Sequence, residues 1–221
     1  MNPFSDDKMV SCKKPNNHSG EKVRSKIARE AAFLLYFGSE KEYKQAKERA
    51  AENFSVRILP SNLEVALELD KIAEENEGPM RTQRLIEMRK EALQIMKLLN
   101  KYQPLLIGSV WRGSIRRSSD IDISIYHDLP PKILTLLSNT NLKIIKTQRI
   151  TLAKHKQIIT SFHINIQTPT NYQVEITIRN IEEAGKTRVC DTFGDKIIGL
   201  NVKELEKLLQ SPNPAKQFLP D

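Results

Sequence analysis

Cysteine is scarce. Cys12 and Cys190 are the only two in 221 residues, and neither stands in a Cys-x-x-Cys pair. That excludes a disulfide framework and a cysteine-based zinc site, and it suits a reducing compartment. Long apolar runs are missing too. The longest, Ala31-Ala32-Phe33-Leu34-Leu35-Tyr36-Phe37, falls far short of the ~20 residues a membrane span needs. The first residues mix acids, lysines and asparagines without an apolar core, which does not read as a secretory signal. The expectation is a cytoplasmic chain with no membrane partner. Residues 20–100 contain no internal repeat and no low-complexity segment.

What the chain does have is apolar content, 39% of residues, with Ile and Leu in periodic runs that can bury a core. The formal net charge is +8, and it is uneven. Residues 1–100 carry 18 Lys and Arg against 16 Asp and Glu, whereas residues 101–221 carry 17 against 11. A basic second half fits an anionic partner, nucleic acid or a nucleoside triphosphate, and equally a mildly basic surface.

Periodicity divides the chain. Residues 1–19 are polar and run into Gly20, as a flexible tail does. Residues 20–100 read as a helical module. Val23, Ile27, Ala31, Leu34 and Leu35 make the first helical stripe, which Gly38 ends. Residues 39–52, rich in Glu, Lys and Ala, give a second helix. Pro60-Ser61 opens a third, and Gly78-Pro79 breaks it ahead of a long fourth. From 101 to 210 the period drops to two. A short strand ends in Gly108-Ser109, and Ile121, Ile123 and Ile125 then alternate with Asp120, Asp122, Ser124 and Tyr126. A short helix from Pro130, strands at 142–150, 157–167 and 171–179, and an amphipathic helix at 202–210 complete an α+β domain with a mixed or antiparallel sheet. Residues 211–221 are proline-rich and read as a second flexible tail.

The chemistry gathers between Gly108 and Ile123. Glycine lets backbone approach a ligand closely. Turned N–H groups with a serine hydroxyl make a phosphate cradle. Two carboxylates at spacing two share one face of a strand, while the isoleucines anchor the other. Like charges on one face are costly unless a cation lies between them, and Mg²⁺ with a bound triphosphate is the common solution. Trp111 beside the turn reads as packing, with stacking on a base as the alternative.

Gly108, Ser109, Arg112, Gly113, Arg116, Ser119, Asp120 and Asp122 stand in the register Gly-Ser-x-x-Arg-Gly-x-x-Arg-x-x-Ser-Asp-x-Asp. That pattern resembles the DNA polymerase β-like nucleotidyltransferase superfamily, and within it the minimal nucleotidyltransferase type. The likeness covers residues 100–180 or so and leaves the helical module unexplained. It implies a mixed β-sheet flanked by helices. It also implies metal-dependent transfer of a nucleoside monophosphate from a nucleoside triphosphate, ATP by resemblance, to a hydroxyl on protein or RNA, with release of pyrophosphate. Two Mg²⁺ ions, or Mn²⁺, would be held by Asp120, Asp122 and a third carboxylate from a later strand. These three are the catalytic candidates.

Glu175, on the polar face of Gln173-Val174-Glu175-Ile176-Thr177-Ile178, is the best third carboxylate, ahead of Asp191 and Asp195. Gly108, Ser109, Arg112, Gly113, Arg116 and Ser119 form the nucleotide-binding set. Residues 129–174 hold six bases (Lys132, Lys143, Lys146, Arg149, Lys154, Lys156) and no acid, which fits an RNA or protein acceptor or a solvated hairpin. His163 shares a strand face with Asn165 and reads as a hydrogen-bonded sheet residue rather than a metal ligand. The helical module suits a homo-oligomer, a partner protein or a cover for the sheet. The alternative function is a catalytically inactive nucleotide- or RNA-binding regulatory module of the same fold.

Overall fold

The computed structural model describes residues 17–154 and 157–220. Most of the expected N-terminal tail, including Cys12, lies outside them, as does Lys156. Three helices, α1 (Asn17–Tyr36), α2 (Tyr43–Asn53) and α3 (Asn62–Glu77), share one apolar core. Alanines at 28, 31, 32, 46, 50 and 51 let their axes approach closely around Ile27, Leu35, Val65 and Ile72. Ser61 starts α3 with a capping box: its hydroxyl accepts the Glu64 N–H, and the Glu64 carboxylate accepts the Ser61 N–H. Gly78, at φ +52°, ends α3, and Pro79 opens α4 (Pro79–Leu98) at the one place where a missing N–H costs little.

Helix α4 belongs to a second core. Leu85, Met88, Ala92, Ile95, Met96 and Leu99 pack with the apolar face of a five-stranded sheet. Its strands are β1 (Leu105–Ile107), β2 (Ile121–Tyr126), β3 (Lys143–Lys154), β4 (Gln157–Gln167) and β5 (Gln173–Arg179), in the order β1-β2-β5-β4-β3. β2 and β5 are parallel and the other pairs antiparallel, so the sheet is mixed and the fold α+β. Short helices α5 (Gly108–Arg112), α6 (Pro130–Ser138) and α7 (Val202–Gln210), with 3-10 turns at Asn100–Tyr102 and Ile181–Glu183, complete the described elements. Ile133, Leu137, Leu205 and Leu208 join Ile121, Ile123, Ile125, Ile164 and Ile176 in the core. Alternation therefore sends Asp122, Ser124, Glu175, Thr177, His163 and Asn165 to the opposite face.

Helix α5 occupies what reads in the sequence as a plain turn. Five residues cannot satisfy their own carbonyl groups. Arg89 of α4, fully buried, does so from beneath: it donates to the carbonyls of Val110 (3.1 Å) and Trp111 (2.9 Å). The same guanidinium reaches the carbonyls of Pro214 (2.6 Å) and Lys216 (2.9 Å). The Phe218 N–H then donates to the Arg112 carbonyl at 2.8 Å. Residues 213–218, expected to be loose, are thus held along α4 and α5 without helix or strand of their own. Among the described residues no helix is long and apolar enough to cross a membrane.

Candidate active site

The polar sheet face becomes a site where β1 ends and β2 begins. β1 and β2 place Ile107 opposite Asp122, and β2 and β5 place Asp122 opposite Glu175. Asp120 stands just ahead of β2, at the mouth. Gly108 has φ +71°, and a Cβ there would overlap the Asp122 carboxylate. No side chain fits at Gly108, for reasons of both space and backbone conformation. Ser109 follows in the first turn of α5, and its carbonyl accepts the N–H groups of Gly113 and Ser114. The return loop is pinned by the Ser119 hydroxyl, which accepts the Arg116 N–H at 2.9 Å.

Crowded carboxylates in a half-buried place resist ionisation. Burial, then the charges of Asp120 and Glu175, push Asp122 up from 3.8 to about 8. Asp120 is raised as well, by burial and by Glu175, with its own backbone and Arg116 opposing. Glu175 Oε1 lies 3.1 Å from His163 Nδ1 and 3.5 Å from Asn165 Nδ2. The other ring nitrogen of His163 meets the Ser161 hydroxyl at 2.8 Å, so the imidazole is committed within the sheet face.

Carboxylate oxygens are the hard donors a divalent cation takes, and Asp122 has no cationic side chain among the groups that shift it. The donor chemistry fits such an ion. Yet among the described residues no three His, Cys, Asp or Glu side chains converge closely enough to hold a metal as they stand. Glu175 is turned toward His163.

The remaining residues of the motif divide in two. Ser109, Ser119 and Arg116 line a cavity of about 280 Å³ together with Gly108, Asp120 and Asp122. Arg116 also donates to the Leu35 carbonyl at 3.0 Å, tying the loop to α1. Arg112 touches the same cavity but is 2% exposed and already engaged. Its guanidinium forks onto Asp195 at 2.6 and 3.0 Å and lies between the rings of Trp111 and Phe193. Gly113, at φ +77°, packs against Gln217. Trp111 is buried in the core. Asp195, one of the alternative third carboxylates, is thereby paired, and the carbonyl of the other, Asp191, accepts from Asn62 at 3.1 Å.

The sequence reading missed the far wall of the cavity. Tyr43 from α2, Ala66, Leu69 and Asp70 from α3, and Cys190, Thr192 and Phe193 from the connection between β5 and α7 close it. Nothing in a helical stripe marks such residues in advance. A larger cavity, about 710 Å³, lies at the other end of β2 around Tyr102, Tyr126 and His127. It holds none of the paired carboxylates.

No family model and no curated protein matches the chain. Among solved structures it is similar to the Cid1 poly(U) polymerase bound to MgGTP, with a TM-score of 0.30 and 16% identity. The likeness covers 51% of this chain and 38% of that one.

Proposed function

We propose that the chain is a metal-dependent nucleotidyltransferase of the DNA polymerase β-like superfamily. It would move a nucleoside monophosphate from a nucleoside triphosphate, ATP by resemblance, to a hydroxyl on protein or RNA. The observation that carries this is the pairing of Asp122 with Glu175 across β2 and β5, directly against Gly108-Ser109. Three carboxylates beside a glycine-serine turn have little other use. Asp120, Asp122 and Glu175 would hold two divalent cations, Mg²⁺ or Mn²⁺. The ions would supply charge stabilisation at the attacking and leaving oxygens.

The chain's own groups do the rest. Ser109 and the backbone N–H groups around Gly108 grip the β- and γ-phosphates, and Arg116 adds positive charge. Arg112, Gly113 and Ser119 hold that loop in shape. The acceptor oxygen attacks the α-phosphorus in line, and a new O–P bond forms. The bond from phosphorus to the bridging oxygen breaks, pyrophosphate leaves, and the hydroxyl proton passes to Glu175. Residues 20–100 serve as a helical module and 101–210 as the transferase domain, with α4 of the module packed on the sheet.

The test is calorimetric titration of ATP, with and without Mg²⁺, into wild type and the Asp120→Ala/Asp122→Ala variant. Mg²⁺-dependent binding that disappears in the variant is expected, together with loss of transfer and an unchanged circular dichroism spectrum. Full activity in the variant would sink the assignment. The contact of Glu175 with His163 favours a second reading, a binding module that does not turn over. Glu175→Ala separates the two: an enzyme loses rate far more than nucleotide affinity, whereas a binding module has no rate to lose.

A further inference from the structure

We infer that the cavity at the far end of β2 is a second ligand site, for a mononucleotide, and that the loop carrying Phe193 and Asp195 relays its occupancy to Arg112. The cavity measures about 710 Å³, within the ~300–1,000 Å³ that small-molecule sites span. It shares no lining residue with the cavity at Gly108-Ser109. Asp122 and Tyr126, one in each lining, stand four residues apart on one face of β2, a separation of ~13 Å. Between them Ser124 is 1% exposed, and Thr177 opposite it on β5 is 7% exposed. The two cavities therefore do not join along the strand, and an acceptor seated at the carboxylates does not extend into the larger one.

The lining suits a flat ring joined to an anionic group. Tyr102, Tyr126 and His127 supply rings, and those of Tyr102 and His127 meet edge to face with centroids 5.1 Å apart. His127 Nδ1 accepts the Leu129 N–H at 2.9 Å, so the neutral imidazole keeps its proton on Nε2 as a donor. Asn100 and Gln103 add amides, which can donate to or accept from the edge of a heterocycle. Lys101 and Lys203 are exposed, and Lys101 Nζ lies 4.9 Å from the Tyr102 ring centroid. Among the described residues no acid belongs to the lining. The rings offer stacking and the lysines offer charge to a phosphate, and a mononucleotide answers both.

The connection between β5 and α7 touches both cavities. Ile181 and Gly185 near its start and Asn201 at its end line the larger, while Cys190, Thr192 and Phe193 in its middle line the smaller. Residues 188–197 fold back as a hairpin: the Cys190 N–H donates to the Asp195 carbonyl and the Ile197 N–H to the Arg188 carbonyl, both at 2.8 Å. Leu200 pairs with Leu106 through two backbone bonds of 2.8 and 3.0 Å, which fix one root of the hairpin to β1. Its tip holds Arg112, through the Asp195 fork and the Phe193 ring 4.4 Å from the guanidinium. A ligand packed against both roots favours one placement of the hairpin, and with it one setting of Arg112.

The experiment titrates AMP, without divalent ions, into wild type, the Asp120→Ala/Asp122→Ala variant and Lys101→Glu/Lys203→Glu. Calorimetry reads binding. Emission from Trp111, the chain's only tryptophan, reads the hairpin tip, since the Arg112 guanidinium lies 4.5 Å from its ring. Wild type and the carboxylate variant should bind AMP alike, with the same change in Trp111 emission. Lys101→Glu/Lys203→Glu should lose about tenfold in affinity, as two exposed charge contacts turned to repulsion would. Adenosine, without the phosphate, and ribose 5-phosphate, without the ring, should each bind about tenfold more weakly than AMP. An RNA trinucleotide should gain nothing over AMP, and a gain beyond about tenfold would put a strand in place of the free nucleotide. No AMP binding by wild type would overturn the second site. So would binding that the carboxylate variant loses and the lysine changes leave untouched. Binding with Trp111 emission unmoved would overturn the relay. None of these readouts uses nucleotidyl transfer, so the second site stands or falls apart from the transferase reading.

Discussion

Asp122 is where burial and charge conflict most. Its folded value, about 8, lies above its ordinary 3.8, so the folded protein keeps a proton that the unfolded chain gives up between these pH values. Without divalent ions, stability is therefore expected to fall as pH rises from 3.8 to about 8 and to level off beyond. Thermal unfolding of metal-free wild type against Asp122→Asn checks this. The variant should gain on wild type across that window, and saturating Mg²⁺ should reverse the order at pH 8. A pH-independent gap would mean that Asp122 ionises normally. At this scale much was legible. Alternation alone puts Asp120, Asp122 and Glu175 on polar faces, because isoleucine and valine occupy the positions between them. Arg112 was not legible as a buttress. Its motif position speaks of phosphate, while its partners Asp195 and Phe218 stand far along the chain.

Among the elements, α5 depends most on others. Its carbonyls end on the buried guanidinium of Arg89, which burial lowers to about 10 and which therefore stays charged at neutral pH. Arg89→Met would fill similar space and leave four carbonyls without that donor. A loss of roughly 3 kcal/mol or more is expected, since unpaired buried acceptors each cost ~1–3 kcal/mol. Urea unfolding measures it, and a loss below ~1 kcal/mol would show that water replaces the guanidinium. The long helices and most strands were readable from period and from Pro and Gly punctuation. α5 was not, because five residues give no periodicity to read. Nor was the affiliation of α4 with the sheet: its stripe looks like those of its neighbours, and only packing tells which core it joins.

For the molecule as a whole, residues 211–220 act as a strap. Removing them takes two carbonyl partners from Arg89 and one from Arg112. The truncated protein is expected to melt several degrees lower, at ~2–4 °C per kcal/mol for a chain of this size. It should also bind MgATP more weakly, since α5 carries Ser109. Calorimetry reads both, and an unchanged midpoint would show that the strap holds nothing. Proline-rich composition hides such a role, because the strap meets Arg89 and Arg112 through its backbone carbonyls and not through a side-chain pattern.

The strap also sets an order in time. Arg112 and the Phe218 carbonyl that it holds are 106 residues apart in sequence. At ~5–20 residues per second, the ribosome adds that much chain in roughly 5–20 s. Throughout that interval the glycine-serine turn exists without its full buttress. A nascent chain thus carries every residue of that turn well before it has the means to hold them still.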